Sequence, residues 1–174
     1  NIVTVASGKG GVGKTWFSVT LAHALARAGR RVLLFDGDLG LANVDLQLGL
    51  APKGDLDSVL TQRIEMSEAI THYKAGGFDI VAGRSGSGAL AALPADHLAG
   101  LRDTLVALSV GYDTAIVDLA AGVEQSVRIL SGAAAVRLVI TPDEPTALTD
   151  AYAFIKLTTL RGNPSTTRIV VNRA

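Results

Sequence analysis

The sequence lacks several residue types and patterns, and each absence excludes a class of function. None of its 174 residues is cysteine, so disulfides, thiolate metal sites and cysteine nucleophiles are excluded. Basic and acidic residues balance at 16 each, so the net charge gives no reason to expect a nucleic-acid partner. No apolar run approaches the roughly 18 residues that a membrane span needs, and no signal peptide is visible. We therefore expect a cytoplasmic protein.

The residues that are present favour a well-buried α/β protein. Hydrophobic residues make up 48% of the chain and charged residues 18%, and the length suits one domain with a sizeable core. Apolar, β-branched segments alternate with helical stretches, which predicts a doubly wound, mostly parallel sheet in a three-layer α/β/α fold. The predicted strands are 2–6, 31–35, 78–82, 114–117, 136–140 and 168–171. In such a fold the ligand lies at the carboxyl ends of the strands.

Three helices and two loops are predicted between these strands. The first helix covers residues 15–28 and is ended by Gly29. The second carries a leucine stripe and the third covers residues 145–160. The stripe of the second helix consists of Leu98, Leu101, Leu105 and Leu108, with Pro94 near the start and Asp96 as cap. In the third helix, Tyr152, Ile155 and Leu160 are predicted to face inward. Segments 49–57 and 83–88 are predicted loops, the first followed by a short helical turn. Because the chain opens on a strand without an initiator Met, we expect residues 1–174 to be a single domain trimmed at both ends.

Residues 8–15 read GKGGVGKT and fill every fixed position of the phosphate-loop pattern G-x-x-x-x-G-K-[ST]. They lie between a predicted strand and a predicted helix, which is the context that such a loop requires. Glycines let successive backbone N–H groups turn inward, and the amino end of the helix adds a positive dipole. We expect Lys14 to reach the β- and γ-phosphates of a nucleoside triphosphate and the Thr15 hydroxyl to bind Mg²⁺. The residues expected to contact the nucleotide are Gly8, Lys9, Gly10, Gly11, Val12, Gly13, Lys14, Thr15 and Trp16.

Acidic residues follow two predicted strands at the same edge of the sheet. Asp36 and Asp38 end the second predicted strand, and Asp118 ends the fourth. Asp36 and Asp38 are both predicted to lie at the Mg²⁺ site. We expect Asp38 to orient or deprotonate the attacking water, and Asp36 to act in the outer shell of Mg²⁺. Asp118 is predicted to support Mg²⁺ as a Walker B acid. Residues 119–122 follow as a predicted second switch, in which Gly122 lets a backbone N–H swing toward the γ-phosphate. A solvated acidic turn is the alternative interpretation for Asp36 and Asp38, and a structural turn is the alternative for Gly122.

An ordinary phosphate loop does not require Lys9, and this second lysine resembles the deviant Walker A family of ATPases. The family pattern K-G-G-x-G-K-[ST] stands at residues 9–15, and the family includes MinD, ParA, FlhG (also called FleN) and the nitrogenase iron protein. The absence of cysteine separates this chain from the iron–sulfur members. The resemblance implies a SIMIBI-type P-loop NTPase fold that binds ATP or ADP with Mg²⁺ and forms a homodimer in the ATP state. It also implies that Lys9 crosses the dimer interface, so Lys9, Lys14 and Asp38 are the predicted catalytic residues; a solvated surface lysine is the alternative for Lys9.

Two further segments bear on the adenine and on the branch of the family. Asn172 offers a donor and an acceptor that suit an adenine edge, and the resemblance implies that it reads adenine; without the resemblance, Asn172 is interpreted as a turn residue at the strand end. We expect Asn172 and Arg173 to contact the nucleotide. Segments 36–50 and 141–152 are similar to FlhG more than to MinD. That branch implies control of flagellar number and placement through a partner such as an FlhF-like GTPase or a flagellar switch component. MinD-like division-site placement is the alternative, and peripheral binding at the inner membrane is expected only through segments absent from this chain.

Four residues depart from the family pattern and keep other functions open. Trp16 stands where a small or polar residue is common, Gly37 replaces an alanine, and Leu119-Ala120 replaces Thr-Gly or Ser-Pro. We expect Gly37 to loosen the switch. These changes affect the expected hydrolysis rate, so a non-hydrolysing nucleotide-binding scaffold is a competing interpretation. A ligase or kinase on the same fold needs an acceptor pocket, for which no dedicated residues are visible, and ParA-like DNA segregation is disfavoured by the neutral charge.

Overall fold

A computed structural model of the protein describes residues 1–83, 93–159 and 165–172. The described strands form one seven-stranded sheet in the order β3-β4-β2-β5-β1-β6-β7. Their bounds are β1 Ile2–Ser7, β2 Val32–Gly37, β3 Ile70–Tyr73, β4 Phe78–Val81, β5 Thr114–Ala121, β6 Val136–Thr141 and β7 Thr166–Val171. Every neighbouring pair is parallel except β3 and β4, which are antiparallel. The prediction of a mostly parallel sheet is confirmed.

Helices cover both faces of this sheet. Their bounds are α1 Lys14–Arg27, α2 Val44–Leu48, α3 Leu56–Leu60, α4 Ala95–Ser109, α5 Gln125–Ser131 and α6 Pro145–Thr159, with a 3-10 turn over Met66–Ala69. Leu34 of β2 belongs to a buried cluster with Ala22 of α1. The next residue, Phe35, belongs to a second cluster with Leu105 of α4 and Phe154 of α6. Alternate residues thus bury two opposite faces, which explains the nearly continuous apolar sequence of β2 and confirms the doubly wound, three-layer fold.

The topology brings the carboxyl ends of three strands together. Strands β2, β5 and β1 are adjacent and parallel, so the segments that follow them meet at one edge of the sheet. Asp36 and Asp118 are directly paired across β2 and β5. Strand β5 continues to Ala121 instead of ending at residue 117, because Leu119 pairs with β2 and Ala121 pairs with β1.

Strand β3 has no counterpart among the predicted strands. Its four residues are at most partly buried and form no apolar run, so their extended conformation comes from pairing with β4. Edge-to-face ring contacts of His23 with Tyr73 at 5.7 Å and with Phe78 at 5.1 Å join this edge of the sheet to α1. Of the predicted loop 83–88, only Gly83 lies within the described residues.

The prediction that Tyr152 faces inward is wrong, since this residue is 64% exposed. The buried positions of α6 are Ala147, Ala151, Phe154 and Thr158. The alanines let the helix approach the sheet closely while Phe154 fills the layer, so the buried face lies one residue away from Tyr152. Ile155 packs on the core as predicted, and Leu160 lies outside the described residues.

Helix α4 confirms the leucine stripe but not its predicted cap. Leu98, Leu101 and Leu105 are buried, and Leu108 packs against them. The helix begins at Ala95 with Pro94 in the cap position. Asp96 lies inside the first turn, where its charge faces the positive end of the helix dipole, so its predicted role as cap is wrong. No helix within 1–83, 93–159 and 165–172 has the length and apolar character of a membrane span.

Candidate phosphate-binding site

The glycine loop lies between β1 and α1, as predicted. Gly11 has φ +75° and Gly13 has φ +90°, and both values lie in the left-handed region that favours glycine. Gly13 occupies the cap position of α1 without a side-chain cap, and the first turn of this helix carries no acidic residue. A Cβ at Gly8 would collide with the backbone of Asp150 in α6. The loop therefore presents an uncapped helix amino end, and glycine is required by both conformation and space.

Lys14 and Thr15 begin α1 and face a buried carboxylate. Ser18 Oγ donates to Asp118 Oδ1 at 2.9 Å. Burial raises the pKa of Asp118, whereas a hydrogen bond from Thr15 and the charge of Lys14 oppose that rise. Asp118 thus fixes the Thr15 hydroxyl and counters the Lys14 charge, which suits a residue that supports a bound cation indirectly.

Asp36 holds the segment that follows β2. Its carboxylate accepts backbone N–H bonds from Asp38 at 3.2 Å, Asn43 at 3.0 Å and Val44 at 3.1 Å. These bonds close the chain between β2 and α2 into a compact loop. The predicted outer-shell role of Asp36 at Mg²⁺ stays a prediction, and the described contacts give this residue a structural task besides.

Asp38 stands at the front of the same loop. Its Oδ1 accepts N–H bonds from Leu41 at 2.9 Å and from Gly40 at 3.3 Å. These bonds fix the orientation of the carboxylate toward the open edge of the sheet. Gly37 beside it is part of β2, and a Cβ there would lie 3.0 Å from the Asp118 carbonyl oxygen. The glycine therefore serves close packing of β2 on β5, which argues against the expected loosening of the switch.

One cavity of about 640 Å³ joins the glycine loop to this switch segment. It is lined by Gly10, Gly11, Gly13, Lys14, Thr15 and Trp16, by Asp38, Leu39, Gly40, Leu41, Asn43 and Gln47, and by Ala120, Ala121, Glu124 and Ser126. The structure thus brings together Lys14, Thr15 and Asp38, while Asp36 and Asp118 lie buried behind the wall. Gln47, Glu124 and Ser126 were not predicted, because nothing in their local sequence distinguishes them from surface residues.

Lys9 is not among the residues that line this cavity, and it contacts a residue that the sequence did not single out. Its Nζ lies 2.7 Å from Glu144 Oε2, and the two side chains are 36% and 57% exposed. Glu144 stands between β6 and α6, at the same edge of the sheet as the loop. Glu144 could have been predicted as a neighbour of the loop, because it follows a predicted strand and the carboxyl ends of parallel strands meet at one edge of the sheet.

Asn172 contacts the loop itself. Its Nδ2 donates to the Val12 carbonyl oxygen at 2.8 Å, and a Cβ at Gly13 would lie 2.6 Å from the same nitrogen. The contact with adenine stays a prediction for Asn172, and Arg173 lies outside the described residues.

Gly122, with φ +90°, donates its N–H to the Ser7 carbonyl oxygen at 2.9 Å. That bond ties the predicted second switch to the end of β1.

The oxygen atoms at this edge suit a magnesium–nucleotide complex. Within the described part of the chain, no group of three or more histidine, cysteine or acidic residues is arranged to hold a metal ion. Mg²⁺ bound to nucleotide phosphates needs only one or two protein oxygens, and keeps several waters. The Thr15 hydroxyl and the Asp38 carboxylate line the cavity and supply such oxygens, and Asp118 supports Thr15 from behind, so the residues fit the ion.

Comparison with known proteins agrees with this geometry. Residues 3–173 match the model of the CobQ/CobB/MinD/ParA nucleotide-binding domain. The chain belongs to this family. As a member of the CobQ/CobB/MinD/ParA family, it is 44% identical over 173 residues to the antiactivator FleN of Pseudomonas aeruginosa, covering 99% of this chain and 61% of FleN. It is 33% identical over 156 residues to the flagellum site-determining protein YlxH of Helicobacter pylori, covering 89% of this chain and 52% of YlxH.

The fold of this chain is also similar to that of a family member whose structure has been solved. The septum site-determining protein MinD of Pyrococcus horikoshii, complexed with Mg-ADP, superimposes with a TM-score of 0.85 at 26% identity, covering 98% of this chain and 69% of MinD. The family member described here spans less than two thirds of the length of FleN and of YlxH. The predicted membership of the MinD/ParA family, with FlhG/FleN among its relatives, and the predicted fold are confirmed.

The buried carboxyl of Asp36 is expected to make the stability of the folded protein depend on pH. Burial raises the pKa of this carboxyl from 3.8 to about 7, against the opposing N–H bond from Val44, and the charge of Asp118 adds to the rise. The folded state therefore binds the Asp36 proton more tightly than the unfolded state does. This difference stabilises the folded state fully below about pH 4, and the stabilisation is lost as the pH rises through about 7. Relative to Asp36→Asn, we expect the unfolding free energy of the unmodified protein to fall by about 2 to 3 kcal/mol between pH 5 and pH 8.

Urea denaturation at a series of pH values measures this difference. Asp143→Asn, which alters an exposed carboxylate, is the matched control and should show no such slope. An Asp36→Asn difference that stays flat from pH 5 to pH 8 would show that the carboxylate is ionised throughout.

Proposed function

We propose that this chain is the ATP-binding and ATP-hydrolysing domain of a nucleotide-dependent dimerisation switch. The observation that carries the proposal is the single cavity that joins Lys14 and Thr15 to Asp38 at the carboxyl edge of the sheet. Its volume, about 640 Å³, lies within the usual range for small-molecule sites. Similarity to FleN and to a MinD solved with Mg-ADP supports the choice of ligand.

The phosphates of ATP would lie on the glycine loop and the amino end of α1. Lys14, only 9% exposed, would place its charge on the β- and γ-phosphates from a partly desolvated position, where the interaction is strong. Thr15 would hold Mg²⁺ with Asp118 behind it and Asp36 farther back. Bound Mg²⁺ would neutralise negative charge on the phosphate oxygens.

In the proposed hydrolysis, a water attacks the γ-phosphorus while the bond to the bridging oxygen of ADP breaks. Asp38 would orient this water and accept its proton. Its Oδ1 is held by Gly40 and Leu41, so we assign the proton to Oδ2. The products are ADP and inorganic phosphate.

The dimer would form across the open face of the cavity. Trp16 and Leu41 line this cavity and are exposed, Leu41 by 72%, and Leu46 of α2 is exposed beside them. Large apolar side chains around a polar cavity are typical of a surface that another protein covers. We propose that two copies meet here with ATP between them and that Lys9 of each reaches the phosphates held by the other.

The relatives support a proposal for the process that the switch serves. Similarity to FleN and to the flagellum site-determining YlxH favours control of the number or placement of flagella, and MinD-like septum placement is the second candidate. The proposed protein partner is an FlhF-like GTPase or a flagellar switch component. The proposed location is cytoplasmic, with peripheral binding at the inner membrane in the full-length protein. A non-hydrolysing scaffold is the third candidate, favoured by the exposed Trp16 on the cavity wall.

Asp38→Asn tests the switch directly. The amide oxygen can still accept the N–H bonds of Gly40 and Leu41, whereas the base is lost. We therefore expect hydrolysis to fall by roughly 100-fold or more, while ATP binding and the ATP-dependent dimer persist. Phosphate release and size-exclusion chromatography with light scattering measure the two properties.

Asp103→Asn, on the exposed surface of α4, should behave like the unmodified protein. If Asp38→Asn with ATP elutes as the nucleotide-free monomer does, the dimerisation switch is wrong. If the unmodified protein dimerises but releases no phosphate with Mg²⁺, the scaffold is the correct function.

A further inference from the structure

A buried arginine lies away from the nucleotide site, within the sheet. Arg137 is the second residue of β6, and only 1% of it is exposed. It points to the same side as Val139, which belongs to the cluster beneath α4, α5 and α6. An arginine stays charged at any relevant pH, so its place in an otherwise apolar layer requires a compensating group.

The described residues supply no such group for part of this side chain. Arg137 Nε is fully buried and has no hydrogen-bond partner. Thr4, its neighbour in register on β1, is fully buried too, and its Oγ1 likewise lacks a partner. Burial lowers the pKa of Arg137. A buried, charged donor without an acceptor is costly, so the surroundings of Arg137 favour an acceptor supplied by water or by a bound anion.

A second cavity opens at this guanidinium. It measures about 470 Å³ and lies among α4, α5, the end of α6 and β6. Two more arginines, Arg102 and Arg128, line it together with the polar side chains of Gln125, Ser131 and Thr158. Arg102 is partly engaged by Asp103, but none of the described lining residues is acidic. The cavity is therefore cationic. Its donors toward a ligand are the guanidinium groups of Arg128 and Arg137, because the Ser131 and Thr158 hydroxyls already donate to the carbonyl oxygens of Arg128 and Phe154.

We propose that this cavity, defined as the arginine pocket, binds a small phosphorylated molecule. A guanidinium presents paired donors that match the oxygens of a phosphate group. Arg137 and Arg128 donate to that group, and the remaining volume takes the organic part of the ligand. Free inorganic phosphate shares the same chemistry, so the experiment separates it from a phosphate ester. Helix α5 stands between the two sites, because Ser126 lines the nucleotide cavity while Gln125 lines the arginine pocket.

Calorimetry and thermal unfolding test the pocket once the nucleotide site is saturated with Mg-ADP, which prevents phosphate from entering the glycine loop. The probes are inorganic phosphate, glycerol 3-phosphate and the tricarboxylate citrate. We expect glycerol 3-phosphate to bind and to raise the unfolding temperature by about 3 °C or more at saturation. We expect inorganic phosphate to bind more weakly and citrate to have no effect at the same ionic strength.

Two pocket variants and one matched control assign the binding. Arg137→Met and Arg128→Gln should lose at least about tenfold in affinity for glycerol 3-phosphate, since each removes a charged donor. Arg63→Gln removes an exposed arginine after α3 and should leave the affinity unchanged. Without any anion, Arg137→Met should unfold at the same temperature as the unmodified protein or higher, because an unpartnered buried charge is removed.

Several results would overturn the proposal. They are no binding of either phosphate probe, binding retained in both pocket variants, or an equal response to citrate. Binding of inorganic phosphate alone would reject the phosphorylated molecule and leave a free-phosphate site. An Arg137→Met protein that melts several degrees lower, together with an Arg128→Gln protein that binds normally, would show that Arg137 is purely structural.

Discussion

Lys14→Met is expected to lower the kcat/KM for ATP by roughly 1,000-fold, the largest effect of any single substitution in the nucleotide site. The methionine keeps most of the buried side-chain volume but removes the charge that faces the phosphates. Preorganised charge in a partly desolvated site commonly accounts for 100- to 1,000-fold or more in rate, and lost ground-state binding adds to it. Phosphate release measures turnover, and calorimetry with ADP measures binding.

The same substitution has a second, independent consequence. The Lys14 charge opposes the rise that burial imposes on the pKa of Asp118. Without that charge the carboxyl should take up a proton more readily, so its capacity to support Mg²⁺ should fall further as the pH is lowered. The control is Lys53→Met, which alters an exposed lysine outside the cavity. Hydrolysis by Lys14→Met within a few-fold of the unmodified rate would mean that the glycine loop does not hold the γ-phosphate.

The part of this site that could be predicted is the part that is local in sequence. The glycine loop, Lys14 and Thr15 form one run of adjacent residues whose geometry follows from the strand before it and the helix after it. The buried carboxylates could be placed as well, because each directly ends an apolar strand and parallel strands end at one edge.

The contacts that could not be predicted join residues far apart in the chain. Lys9 and Glu144 are 135 positions apart, and Asn172 and Val12 are 160 apart. Such pairs depend on strand order and on the exact height of each loop, which hydrophobic periodicity does not encode. Tyr152 shows the same limit, because close packing of alanines against the sheet decided which side of α6 is buried.

Strand order also explains why the arginine pocket could not be predicted from the sequence. Arg137 interrupts an apolar run by a single residue, and nothing nearby marks it as buried. Only the alternation of β6 beneath α5 and α6 places it within the core. Buried arginines are rare unless they are paired, so the burial of Arg137, which only the structure shows, makes it a candidate binding residue.

Lys9→Ala is expected to abolish the ATP-dependent dimer while leaving the affinity of the monomer for ADP unchanged within a few-fold. Lys9 does not line the nucleotide cavity of its own chain and is paired with Glu144. In the proposed dimer it leaves Glu144 for the partner's phosphates. The strength of the present pair decides whether that exchange is feasible.

An exposed ion pair of this kind contributes about 0.2 to 1 kcal/mol. A lysine that contacts the triphosphate at a water-excluded interface interacts much more strongly. The exchange should therefore favour the dimer, and the Glu144 pair should shift the equilibrium only slightly. We expect Glu144→Gln to tighten ATP-dependent dimerisation by no more than about fivefold, against complete loss for Lys9→Ala.

Light scattering over a concentration series, with Asp38→Asn as the common background to prevent hydrolysis, compares these variants. Lys74→Ala, an exposed lysine at the far side of the sheet beyond β3, is the matched control. A Lys9→Ala protein that dimerises normally with ATP would place Lys9 outside the interface and reduce it to one half of a surface ion pair. A Glu144→Gln protein that loses the dimer would instead make Glu144 part of the interface, since the release of a weak pair cannot weaken association.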